Sequence, residues 1–137
     1  MRVFFDTSAI AKRYVVEEGS SKVMELCDRA DTLAISVICL PELISTLSRL
    51  VREKKISPAQ YRATRGAILT DLAGADICEM TPQVMDSVIE LLEQHPLRAM
   101  DAIHVACALV YQPDLFVSAD KRQAEAARKS GIKVLLI

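Results

Sequence analysis

The sequence predicts an α/β fold, a three-layer α/β/α sandwich built on a central, mostly parallel sheet. Three observations carry that expectation. Short apolar runs alternate along the chain with longer segments of helical periodicity, the signature of strand–helix units. Aromatic residues make up only 4% of the chain while Ala, Leu, Ile and Val abound, which suits helices packed on a sheet. At 137 residues, 51% hydrophobic and 26% charged, the chain is long enough to bury a core and reads as one domain over residues 1–137.

Taken in order, residues 2–5 (RVFF) read as a short buried strand. Asp6-Thr7-Ser8 then supplies capping side chains for a helix to about Tyr14;. Gly19-Ser20-Ser21 breaks the chain, and the next helix runs to about Ala30 on a Val23, Met24, Leu26, Cys27 stripe;. Leu33 to Ile38 is the second expected strand. Pro41 suits the first turn of the helix that carries Leu43, Ile44, Leu47, Leu50 and Val51;.

Ser57-Pro58 opens a helix ending near Gly74, and Asp76 to Met80 reads as a short strand. Thr81-Pro82 opens another helix, with Val84, Met85, Val88, Ile89, Leu91 and Leu92 expected to face inward until His95-Pro96 ends it;. Met100 to Val110 is a nearly all-apolar helix and Asp114 to Ser118 a strand. A helix from Asp120 to about Ser130 and a closing strand from Ile132 to Leu136 complete the pattern. No linker or repeat interrupts it.

Composition bounds the function. The formal net charge of −1 means that any nucleic acid must be gripped locally rather than by bulk charge. Cys27, Cys39, Cys78 and Cys107 form no CxxC pair and sit in apolar runs, as free thiols of a reducing cytoplasm do. With only His95 and His104 besides, a zinc site finds little support. The N-terminus lacks the pattern of a signal peptide and no apolar run approaches membrane-spanning length, so no membrane partner is expected. Neither GxGxxG nor GxxxxGK[ST] occurs;.

Four carboxylates stand out from this background. Asp101 and His104 are the only strongly polar residues in AMDAIHVACALV. A helix apolar on all sides is buried, and a buried ionised carboxylate needs a partner or a metal. A bond to Arg98 or a capping role in the first turn is the competing explanation for Asp101. Glu42 has no charged neighbour within four residues, although the dipole at a helix start accounts for it equally well. Asp6 follows RVFF and Asp120 follows LFVSA, so both sit at strand C-termini, where helix capping is the competing explanation;. Their joint placement shifts the balance. In an open parallel sheet, ligands bind in the crevice beyond the strands' carboxyl ends, and all four acids can meet there.

Gathered carboxylates repel one another and raise each other's pKa. An oxygen-only set suits Mg²⁺ or Mn²⁺, with Thr7, Ser8 and Ser118 orienting the acids from behind. The chemistry natural to such a site is phosphodiester hydrolysis, with Asp120 or Glu42 positioning or deprotonating the water. Lys12, Arg98 and Lys121, close in sequence to the acids, are candidate phosphate contacts. The basic runs Arg49, Arg52, Lys54, Lys55 and Lys121, Arg122, Arg128, Lys129 read equally well as phosphate contacts or as solvated helix surface.

The segments FDTSAIAKRY (5–14), PELISTL (41–47), LRAMDAIHVACAL (97–109) and FVSADKRQAEAARKSG (116–131) together resemble a PIN domain. The VapC-type toxin ribonucleases of toxin–antitoxin pairs are the nearest match, over essentially the whole chain. The resemblance implies a metal-dependent endoribonuclease with Asp6, Glu42, Asp101 and Asp120 at the family's acidic positions. Asp6 and Asp101 match those most often assigned to Mg²⁺, and Ser118 matches a family hydroxyl position. It further implies a homodimer and a small antitoxin that blocks the site with its C-terminal segment. His104 matches a common family residue and is read here as core packing. Glu125 is a weak substitute for the further acid or Asn that some relatives carry, so the number of ions stays open. Two other readings compete: a different α/β phosphate-handling enzyme and a non-catalytic module on the same fold. Ser8 stands where a haloacid-dehalogenase-type phosphatase needs a second Asp, and the paired acids of a receiver domain are missing.

Overall fold

Strands covered on both faces have no use for polar alternation, and β1 (Arg2–Phe5) follows that rule: beyond Arg2 all its residues are buried. The computed structural model describes residues 1–137 throughout. In chain order β1 is followed by α1 (Thr7–Tyr14), α2 (Ser20–Arg29), β2 (Thr32–Ser36), α3 (Cys39–Arg52) and α4 (Pro58–Leu72). Next come β3 (Asp76–Cys78), α5 (Pro82–Gln94), α6 (Ala99–Tyr111), β4 (Leu115–Ser118), α7 (Lys121–Lys129) and β5 (Val134–Leu136). The five strands form one sheet in the order β3-β2-β1-β4-β5, and every pairing is parallel. The α/β/α architecture expected from the sequence is therefore present, with a sheet that is wholly rather than mostly parallel.

Pleating divides each strand between two cores. Val3, Phe5, Ile35 and Val117 join Ile10, Val23, Leu43, Leu47 and Ile68 on the face covered by α1 to α4. Phe4, Ala34 and Phe116, aligned in register, pack on the other face against α5, α6 and α7 through Val88, Val105 and Ala127. Because all strands run the same way, their carboxyl ends lie along one edge, and the chain enters α1, α3 and α7 from that edge.

Several boundaries shift, each for a local reason. The second strand ends at Ser36 rather than Ile38: the Val37 N–H makes the last ladder bond, to the Cys78 carbonyl, and the chain then turns into the next helix at Cys39. Helix α3 starts at Cys39, two residues before Pro41; a first-turn N–H has no intrahelical partner, so proline there loses nothing. β3 stops at Cys78 rather than Met80, where the chain turns toward the Thr81 cap of α5. β5 begins at Val134 rather than Ile132, whose N–H still closes the end of α7 on the Ala127 carbonyl. Gly19 takes φ +91 as α2 begins, and a Cβ there would stand 3.2 Å from Lys12 Cδ;.

Two burial expectations are corrected. On α5 only Val84, Val88 and Leu91 turn inward, while Met85, Ile89 and Leu92 are exposed. The two triplets are offset by one residue, about 100° around the helix, and α5 lies outermost, with only one face against α6 to bury. Helix α6 is buried from Ala102 to Ala108 except for half-buried Ile103, but its first turn protrudes. Met100 is 53% exposed and Asp101 is only half-buried. All four cysteines are free, with Cys39 and Cys107 buried and Cys27 and Cys78 half-buried.

Candidate active site

Four helices, α1, α3, α6 and α7, bring their N-termini to the carboxyl edge of the sheet, and each carries one of the four acids. Asp6 caps α1, accepting from the Ala9 N–H at 2.9 Å. Asp120 caps α7, accepting from the Gln123 N–H at 2.9 Å. Glu42 and Asp101 lie in the first turns of α3 and α6. The capping by Asp6 and Asp120 and the helix-start placement of Glu42 are therefore present, and they do not compete with a shared site. Asp101, in contrast, neither caps its helix nor bonds Arg98. Each helix start also contributes partial positive charge where the carboxylates gather.

Glu42, Asp101 and Asp120 line one cleft of about 350 Å³ together with Thr7, Ser8, His104 and Gln123. No apolar side chain lines it. Asp6 stands apart from this group. It is fully buried, one layer beneath Thr7 and Ser8. Its Oδ1 accepts from Ser8 Oγ at 2.6 Å and from Ala9 N, and its Oδ2 accepts from Ser118 Oγ. The burial ranking is thus the reverse of the one expected: Asp6, not Asp101, is the acid without solvent. The reason is position, since Asp6 ends the central strand of the sheet while Asp101 occupies the protruding turn of α6.

The electrostatics follow from these surroundings. Burial pushes the Asp6 carboxyl above its ordinary value, against the opposing hydrogen bonds from Ser118, Ser8 and Ala9 and the field of His104;. Burial also raises Asp101, and the carboxylates of Asp120 and Glu42 push it further up, against His104 and Arg98. At Glu42 burial acts upward too, but hydrogen bonds from His104 and Thr7 outweigh it and leave this carboxyl below its ordinary value.

His104 is where the sequence reading fell short. The ring is buried, as core packing requires, yet it is wired to the cleft. Its Nε2 lies 2.5 Å from Glu42 Oε1 and 3.2 Å from Thr7 Oγ1, and its Nδ1 lies 2.9 Å from Ser36 Oγ. An ionised Glu42 only accepts, so Nε2 donates to it, and a neutral ring then accepts the Ser36 hydroxyl at Nδ1. Thr7 Oγ1 donates to the same Glu42 oxygen at 2.7 Å, so Oε1 is engaged twice and Oε2 is left for a ligand. The signal was present in the sequence as the i, i+3 spacing from Asp101 to His104.

Gln123 was also missed. It is buried on the inner stripe of α7 beside Ala126 and Ala127, and its Nε2 donates to Asp101 Oδ1 at 3.1 Å. Its Oε1 is buried without a hydrogen-bond partner. A polar residue on an alanine stripe, three positions after Asp120, was the available clue. Ser8 and Ser118 both donate to Asp6; Ser8 Oγ also accepts from the Ala119 N–H, and Ser118 Oγ accepts from the Asp120 N–H, each at 2.9 Å.

The basic candidates separate. Arg98 and Lys121 border a second, wider cavity with Glu42, Asp101 and Asp120. Lys12 does not reach the cleft. Its Nζ is held at 2.8 Å by the Glu18 carbonyl and at 3.3 Å by Glu17, because α1 is short and Lys12 sits near its far end. Glu125 likewise faces away and pairs with Arg128 and Lys129.

These residues fit a hard divalent cation. The donors are carboxylate, hydroxyl and amide oxygens, the one imidazole is already engaged, and the unpartnered Gln123 Oε1 would add a further oxygen donor. Cys39 beneath the cleft is buried, with its thiol pushed up to about 12, so it offers no thiolate. No three acids or histidines stand close enough to enclose an ion by themselves. Water and substrate oxygens would complete the shell, as is usual for Mg²⁺.

Comparison with known proteins agrees with this arrangement. Residues 3–129 match the PIN domain model. Ribonuclease VapC45 of Mycobacterium tuberculosis is 31% identical over 134 residues, covering 96% of this chain and 93% of the relative. Among solved structures, VapBC2 from Rickettsia felis bound to a promoter DNA fragment superposes with a TM-score of 0.71 at 17% identity. That match spans 100% of this chain and 99% of the other. FitAcB from Neisseria gonorrhoeae gives 0.73 at 16% identity, over 97% of this chain and 96% of the other. These two establish the fold, and the sequence relationship establishes the lineage. This chain belongs to the PIN-domain family, alongside its VapC-type ribonucleases.

Proposed function

We propose that residues 1–137 act as one nuclease unit, a metal-dependent endoribonuclease that is the toxin of a VapBC-type toxin–antitoxin pair. The carrying observation is the cleft lined by Glu42, Asp101 and Asp120 with no apolar side chain, set among four helix N-termini. VapC45, the relative matched over nearly its whole length, bears the name ribonuclease. Family membership removes the competing phosphatase and receiver readings.

The proposed catalytic and metal-binding set is Asp6, Glu42, Asp101 and Asp120, with Mg²⁺ or Mn²⁺ as cofactor. A divalent ion held there would supply polarisation of a phosphate oxygen and a more nucleophilic water. The residues of this chain do the rest. Asp101 and the Oε2 of Glu42, both lining the cleft, would hold the ion. Asp6 forms the floor of the set and fixes Ser8 and Ser118, while Thr7 holds Glu42. Asp120 or Glu42 would orient and deprotonate the attacking water. The Asp120 side chain accepts one hydrogen bond against the two on Glu42 Oε1, and it is the less engaged of the two. Arg98 and Lys121 are placed to meet the phosphates flanking the cut bond.

The partners proposed are RNA, a second copy of this chain and a small antitoxin. Met85, Ile89 and Leu92 on α5 form an exposed apolar stripe of the kind that self-association covers. Several solved structures of the same fold are toxin–antitoxin complexes. An arginine of the antitoxin entering the acid cleft would be a sound plug, since guanidinium pairs with carboxylates in bidentate fashion.

The test is cleavage of RNA by purified protein with EDTA, Mg²⁺ or Mn²⁺. Cleavage is expected only with metal. Asp101→Asn is expected to lose it by more than the ~10–100-fold typical of changes that touch only a ligand's supporting partner. Equal cleavage by this variant and the parent would overturn the assignment.

A further inference from the structure

The acid cleft does not end at its acids. Arg98, Lys121 and Arg122 line the wider cavity of about 900 Å³ that opens from Glu42, Asp101 and Asp120. Lys121 and Arg122 in turn belong to a third cavity of about 390 Å³, whose other walls include His95 and Lys129. Each cavity shares lining residues with the next, so one continuous trough runs from the cleft along α7 to the loop after α5.

The cations of this trough are set apart by their place beside the acids, since Arg52, Lys54, Arg62 and Arg65 elsewhere on the surface also take part in no ion pair. Arg13, Lys22, Arg29, Arg49 and Lys55 each have a carboxylate partner. Arg98, Lys121 and Arg122 take part in none of the chain's ion pairs. Glu125, the one acid in the third cavity, is already engaged by Arg128 at 3.0 Å and Lys129 at 3.6 Å. Lys121 and Arg122 also occupy the first turn of α7, directly after the Asp120 carboxylate that caps it.

We propose that His95, Arg122 and Lys129 form a phosphate-binding subsite for the RNA backbone, next to the cleft rather than in it. The strand then runs from the acids past Arg98 and Lys121 and along α7. This rests on the ribonuclease reading above and adds a direction and a footprint to it. It also answers the charge problem, since a chain with net charge −1 must hold RNA through a local basic track. An acidic peptide is a weaker fit. Peptide recognition relies on apolar anchors in pockets, and Ala126 is the one hydrophobic residue lining the third cavity.

The experiment measures binding of labelled single-stranded RNA oligonucleotides of increasing length to the full chain, in EDTA so that nothing is cut, over a range of salt. The variants are Arg122→Ser, Arg122→Ser with Lys129→Ser, and Arg122→Lys. Both positions are exposed, and circular dichroism confirms that the fold is kept. For the double variant we expect the dissociation constant of the longest RNA to rise about tenfold. Its salt slope should fall by about 0.7 for each phosphate that is no longer neutralised. The deficit should grow with RNA length, and Arg122→Lys should recover most of it.

Equal deficits at every length, or none at any, would overturn the subsite. So would a double variant that binds RNA like the parent but fails to bind a cognate antitoxin, which assigns the trough to a peptide. If the parent itself cuts no RNA with metal and binds none at any length, the ribonuclease reading fails as well. If the parent cuts RNA and the variants bind it unchanged, only the subsite fails.

Discussion

The floor and the rim of the cleft hold the same kind of group by opposite means. Asp6, on the floor, has no solvent but three donors, two hydroxyls and a backbone N–H. Asp101, on the rim, is half-exposed, has one donor in Gln123, and faces the carboxylates of Asp120 and Glu42. A carboxylate surrounded by donors is a structural part whose removal leaves those donors unpaired. A carboxylate crowded by like charge is a poised group whose removal relieves strain. The difference predicts that the two acids will separate cleanly when stability and activity are measured side by side.

The largest stability effect is expected at the floor. Asp6→Ala should lower unfolding free energy by roughly 2–4 kcal/mol, since it strands buried donors and removes a helix cap, and urea denaturation reads this directly. An unchanged midpoint would show that the floor is not the keystone described here. Asp101→Asn, already expected to abolish cleavage, should leave thermal stability unchanged or higher. The sign follows from linkage. The folded state holds the Asp101 proton more tightly than the unfolded chain does, so stability from this group falls as pH rises above the ordinary carboxyl value. Asn carries no such charge. A lower melting temperature for Asp101→Asn at neutral pH would contradict it.

A smaller effect is expected at Gln123, which links the rim to α7. Gln123→Ala frees Asp101 Oδ1 and deletes the unpartnered Oε1. Metal-dependent cleavage should drop about 10–100-fold, the range for partners that orient a ligand. The loss should be partly restored at high Mg²⁺, since orientation rather than the ligand itself is removed. A loss that metal cannot restore would instead place Gln123 in contact with RNA.

Much of this was legible in the sequence, and the reasons are local. β1 and β4 announce themselves as unbroken apolar runs because both their faces are covered. Ser57-Pro58 with Gln60 writes a full capping box that the structure makes with both bonds. Asp6, Glu42, Asp101 and Asp120 could be singled out because each sits at an element's end or in an apolar setting. What eluded the reading depended on angles around helices. The six apolar residues of α5 could not be divided into an inner and an outer row until its neighbour α6 was in place. Lys12 lies six residues from Asp6, yet the axis of α1 carries it away from the cleft and into the reach of Glu17 and Glu18.

By itself, then, the sequence determined the strand–helix alternation, the parallel sheet, and the four acids at the ends of its elements, because periodicity and capping act within a few residues. Only the tertiary structure decided how deep each acid lies and what it touches. Burial of Asp6, the Glu42–His104–Ser36 chain across three elements, the Gln123 link to Asp101, and the joining of three cavities into one trough all arise from contacts between distant segments. Those contacts follow from the order of the strands and the tilt of the helices over them, which no local pattern encodes.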